Sequence, residues 1–145
     1  MPVGNDGRIP VDVDPSGARP VVLFGSGAPS AVQVIGWDML RRSVVFDAAG
    51  VATLDFGSPP FDGWWMVERT WMRSDSALAS SLTVYVGEAD NANGVDETAS
   101  GNGDVSEYPR GLYVAGGSPL LFVWTGGTAG ARVWATAQVA LMRVV

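Results

Sequence analysis

From Pro20 onward the chain is a succession of short apolar runs separated by turn chemistry, and no window carries a convincing helical period. Runs fall near 21–24, 31–37, 43–46, 51–56, 64–73, 80–86, 112–114, 120–124 and 131–142. Between them stand Gly25-Ser26-Gly27, Asp47-Ala48-Ala49-Gly50, Gly57-Ser58-Pro59-Pro60, Gly116-Gly117 and Gly126-Gly127, the residues that tight turns require. The best helical candidate, 74–81, is short and serine-rich. Regularly spaced short strands of this kind predict an all-β sandwich or barrel. The expected architecture is one jelly-roll-like β-sandwich of about eight strands over 21–145. At 145 residues such a domain buries roughly 68% of its unfolded surface, enough for a core without metal or disulfide staples.

Residues 1–20 differ. Four glycines and prolines precede Val11 and three follow it, mixed with Asp6, Asp12 and Asp14. Such a segment has little to bury and reads as an extended arm, either free or ordered against a neighbouring subunit.

Alternation assigns faces. In the 82–86 run, Leu82, Val84 and Val86 share one side while Thr83 and Tyr85 share the other, an ordinary half-buried strand. The 64–73 run is apolar on both sides. Strict period two puts Trp65, Val67 and Trp71 together, and Trp64, Met66 and Met72 opposite them. The last run has a fully apolar side, Val133, Ala135, Ala137, Val139 and Leu141, backed by Trp134, Ala140 and Met142. Two such strands have more to bury than one sheet face provides, so the second side meets either a loop or another chain. Trp65 and Trp71 are therefore expected in the core. Trp64, Met66, Met72, Trp134 and Met142 are expected at an oligomer or partner interface, where Trp and Met are enriched.

Composition limits the chemistry. Histidine, cysteine and lysine are absent, so the usual nucleophile–base pairs cannot be assembled, and no catalytic residue is assigned. Two-carboxylate glycoside hydrolysis is formally open, but Glu68 is the only acid within a tryptophan-rich strand, and an ion pair with Arg69 accounts for it. The net charge of −6, with only Arg41-Arg42 adjacent, argues against nucleic acid. No apolar run is long enough for a membrane helix, and no signal peptide is visible. A soluble protein made in the cytoplasm is the expectation.

Residues 87–111 read as one long irregular connection rich in Asp, Glu and Asn. Asp90, Asn93 and Asp96 are weak candidates for calcium. An EF-hand loop starting at Asp90 would place Ala92 third and lacks the closing glutamate, so neither metal nor other cofactor is expected.

The chain from Trp64 onward resembles small all-β virion proteins of tailed bacteriophages of actinobacteria. The resemblance lies in Trp65-Met66-Val67-Glu68-Arg69-Thr70, in Leu82-Thr83-Val84-Tyr85-Val86-Gly87, in the loop through Gly101-Asn102-Gly103-Asp104, and in Leu120-Leu121-Phe122-Val123-Trp124-Thr125-Gly126-Gly127. It covers a little over half the chain. It implies a virion component: a capsid decoration or minor capsid protein, head fibre, collar or tail-associated protein. Its partners would be itself, as a homo-oligomer, and other virion proteins such as the major capsid protein. The other expectation kept open is a carbohydrate- or receptor-binding β-sandwich on a tail fibre or secreted protein, with Trp64, Trp65 or Trp71 stacking on sugar rings.

Overall fold

The computed structural model describes residues 20–23, 30–98 and 101–144. The arm expected over 1–20 lies outside these residues apart from Pro20, which opens the first strand. The strands are β1 (Pro20–Leu23), β2 (Ser30–Val45), β3 (Ala52–Asp55), β4 (Gly63–Ser74), β5 (Ser81–Val86), β6 (Gly94–Thr98), β7 (Gly103–Ala115), β8 (Leu120–Thr125) and β9 (Arg132–Val144).

All pairings are antiparallel, in two sheets ordered β1-β2-β9-β4-β7 and β3-β8-β5-β6. The pairs β2–β9, β3–β8, β4–β7 and β5–β6 are those of one long hairpin with its tip at β5–β6. Rolling that hairpin brings β9 beside β4 and β8 beside β5, closing two four-stranded sheets. This is the jelly roll expected from the spacing of the runs. β1 adds a strand to the outer edge of β2.

The core is made by alternate residues of both sheets. Leu82 and Val84 of β5, Leu120, Phe122 and Trp124 of β8, and Val133, Ala137 and Val139 of β9 are fully or almost fully buried. Phe122 meets Phe56 edge-on at 5.0 Å and Trp124 at 5.9 Å, arrangements that aromatic quadrupoles favour. The Trp124 indole N–H donates to the Gly101 carbonyl at 2.9 Å, so the largest buried ring leaves no polar atom unpaired. Beside it, the Asn102 side chain accepts from the Ser80 amide and hydroxyl and donates to the Leu78 carbonyl, joining two connections at one end of the sandwich.

Three expectations change. The runs 31–37 and 43–46 belong to the single strand β2, whose interior Asp38, Arg41 and Arg42 are exposed. The supposed irregular connection 87–111 contains β6 and most of β7. Both are edge strands, and edges carry charge and proline where central strands do not, which is why GVDET and GDVSEYPRG did not read as strands. The third change is in β4. Its partners shift register between Val67 and Arg69 on both sides, so Glu68 is a β-bulge. An extra residue reverses the faces beyond it. Trp65 and Val67 point into the core before the bulge; Thr70 and Met72 do so after it.

On β7, opposite Glu68, the ladder is interrupted over Tyr108, Pro109, Arg110 and Gly111. Pro109 has no N–H to give, and Gly111 adopts φ +75°, where a Cβ would lie 2.5 Å from Met66 Cγ.

Candidate interaction face

The register places two kinds of surface on the outward side of the five-stranded sheet. Near one end run the rows Val34–Met142–Trp64 and Trp37–Ala140–Met66–Tyr113. Trp64 and Met66 face outward and are half-buried. Ala140 and Met142 share this side but are themselves covered, Met142 to 2% exposure, flanked by Val34 and Trp64. Met142 is thus support for the face and not a contact upon it, a correction to its assignment at the interface. Met72 is a correction of another kind. At 5% exposure it lies between the sheets, because the bulge at Glu68 turned it inward.

Towards the other end run Met39–Gln138–Arg69–Glu107, Arg41–Thr136–Trp71–Val105 and Ser43–Trp134–Arg73. Trp71, expected in the core, is here on the outside, diagonal to Trp134 on the next strand. Both rings are half-buried. The Arg69 guanidinium lies over the Trp71 ring at 5.4 Å, and that of Arg73 over the Trp134 ring at 4.4 Å. Arg69 also pairs with Glu107 across β7, not with neighbouring Glu68. One Glu68 carboxylate oxygen is buried without a hydrogen-bond partner. Trp37 at 67% and Met39 at 42% exposure extend the apolar surface along β2.

The other sheet presents a different outward side, with rows Thr53–Val123–Thr83–Glu97 and Asp55–Leu121–Tyr85. Leu121, Val123 and Tyr85 are half-buried in the middle, while Asp55 and Glu97 are exposed on the two edge strands.

The weak metal candidates have other work. Asp90 Oδ1 accepts from the Ala92 and Asn93 amides in the β5–β6 turn, and Asn93 Nδ2 donates to the Glu88 carbonyl. Asp96 accepts the Tyr108 hydroxyl at 2.7 Å. That bond joins the edge strands β6 and β7 of opposite sheets; the Thr98 hydroxyl, donating to Asp104 at 3.1 Å, is a second such tie. Burial, and then the bond and charge of Asp96, push the Tyr108 phenol well above the ordinary tyrosine range. The neutral phenol is the folded form. Its contribution is complete below the unfolded pKa of about 10 and is lost as pH rises beyond it. Tyr108→Phe is expected to cost about 1–2 kcal/mol at neutral pH by removing the donor. It should also weaken the loss of stability that the parent protein shows in alkali. Denaturant unfolding at pH 7 and at pH 11 checks both; equal alkaline sensitivity of the two proteins would remove Tyr108 as its source.

No known family model matches the chain, and no curated protein does. Among solved structures, a Bacillus endospore appendage pilus protein is similar over 86% of this chain and 97% of its own, at 12% identity and TM-score 0.46. The particle protein of the giant freshwater prawn extra small virus is similar over 93% of this chain and 94% of its own, at 16% identity and TM-score 0.36. A family 29 carbohydrate-binding module is similar over 86% and 92%, at 19% identity and TM-score 0.34.

Sequence reasoning missed Trp71, Trp37 and Met39 as outward residues. For Trp71 the available signal was Pro109-Arg110-Gly111, a turn tripeptide inside what is otherwise a strand, which marks a break in the ladder beside β4.

Proposed function

We propose that this chain is a non-catalytic structural protein of a tailed-phage particle, made in the host cytoplasm and assembled with copies of itself and with capsid proteins. The observation that carries the reading is the outward side of the five-stranded sheet, where exposed Trp37 and Met39 and half-buried Trp71 and Trp134 stand among arginines. Large exposed apolar areas of this composition mark contacts between proteins. The absence of histidine, cysteine and lysine supports a role without nucleophilic catalysis. The resemblance of the chain from Trp64 onward to actinobacterial phage virion proteins points to the particle.

A sugar-binding reading has one observation in its favour, the side-by-side placement of Trp71 and Trp134. Against it, Arg69 and Arg73 lie over faces of these rings on which a pyranose would stack. Trp65, a third candidate for stacking, is in the core. Mass spectrometry of purified particles should find this protein at a fixed copy number per capsid. Particles lacking it, together with retention on an immobilised polysaccharide, would replace assembly with carbohydrate recognition.

A further inference from the structure

The described cations are confined to one of the two sheets, whose strands also carry Asp38, Glu68, Asp104 and Glu107. All seven arginines beyond residue 20 lie on strands of the five-stranded sheet: Arg41 and Arg42 on β2, Arg69 and Arg73 on β4, Arg110 on β7, and Arg132 and Arg143 on β9. The strands of the four-stranded sheet and the β5–β6 turn hold five carboxylates, Asp55, Glu88, Asp90, Asp96 and Glu97, and no cation. Register sharpens the contrast. Arg41, Arg69, Arg73 and Arg132 share the outward side of one sheet with Glu107 as the anion among those rows, whereas Asp55 and Glu97 flank the outward side of the other.

We propose that the basic, tryptophan-bearing side of one molecule docks on the acidic side of the four-stranded sheet of the next copy, a head-to-tail contact. The inference rests on the self-assembly proposed above and specifies its geometry. Each side has an apolar centre, Trp71 and Trp134 on one and Leu121 and Val123 on the other, with charges of opposite sign around it. A two-fold contact of the basic side with itself would instead oppose arginine to arginine, a like-charge juxtaposition that costs several kcal/mol in such interfaces. Head-to-tail contacts use two different surfaces on every copy, so they close into rings or continue as filaments. A stable contact needs roughly 800 Å² from each partner, about a tenth of the 8351 Å² of this chain.

The test is sedimentation velocity of the full chain with two charge-reversed variants, each checked by thermal melting. Arg41→Glu/Arg73→Glu reverses the basic side; Asp55→Arg/Glu97→Arg reverses the acidic side. The parent should form oligomers larger than dimers at micromolar concentration in 50 mM NaCl, and raising NaCl to 500 mM should weaken them about tenfold or more through screening. Each variant alone should be a monomer. Mixed in equal amounts, the two should assemble again, because each reversed side now meets its opposite. If the acidic-side variant assembles as the parent does, or the mixture stays monomeric while the parent assembles, head-to-tail docking is wrong although self-assembly stands. If the parent is monomeric at every salt concentration, docking between copies fails, and its presence in purified particles decides separately whether the virion reading survives.

Discussion

Trp124→Ala should remove a large fraction of the domain's stability. The ring is completely buried beside Phe122, and its N–H is bonded to Gly101. Truncating a buried aromatic to alanine costs about 3–5 kcal/mol through lost transfer energy and the cavity left behind. An unpaired Gly101 carbonyl adds about 1 kcal/mol or more. Against a total stability of about 5–15 kcal/mol, that is a large fraction. The melting midpoint, followed by circular dichroism, should fall by roughly 10–20 °C, using about 2–4 °C per kcal/mol for a domain of this size. Trp124→Phe fills most of the volume and should fall by much less. A midpoint within a few degrees of the parent for the alanine variant would mean that β8 is not the centre of this core.

The second large effect separates two tryptophans six residues apart. Trp65→Ala should cost about 3–5 kcal/mol, because Trp65 is 7% exposed within the core cluster. Trp71→Ala should cost less than about 1 kcal/mol beyond its cation–π contact with Arg69. It should instead weaken self-association measured by sedimentation. Two melting curves and two sedimentation runs decide the matter. Equal destabilisation by both substitutions would mean that no bulge separates them, with Trp71 returned to the core.

The contrast shows where the sequence is readable. In β5 and β9 the period-two alternation runs unbroken through the core, so Leu82, Val84, Val133, Ala135, Ala137 and Val139 were assigned to it correctly from spacing alone. Trp64, Met66 and Trp134 were likewise placed on the outward side. In β4 the same arithmetic is valid up to Val67 and reversed from Arg69, because one bulged residue changes parity without changing composition. Met72 and Trp71 exchanged places for that reason. The edge strands β6 and β7 were illegible for a different one. Each has a neighbour on one side only, so much of their surface faces water, and selection for burial leaves little apolar signature. The confinement of the cations to one sheet was invisible as well, since it exists only after rolling places the strands of the two halves in alternate sheets.

The position of β9 bears on when the molecule can fold. It is the last strand in chain order, yet it lies in the middle of the five-stranded sheet, between β2 and β4. While the chain is being synthesised, β2 with β1 and β4 with β7 are two separate pairs that no strand of the five-stranded sheet bridges until residues 132–144 have left the ribosome. The closing pairing of Val32 with Val144 spans almost the whole described chain, the kind of distant contact that makes all-β domains slow folders. Nascent molecules therefore pass through a stage in which the inner edges of β2 and β4 are unpaired and available to other chains. That stage is the point of greatest exposure to misassembly.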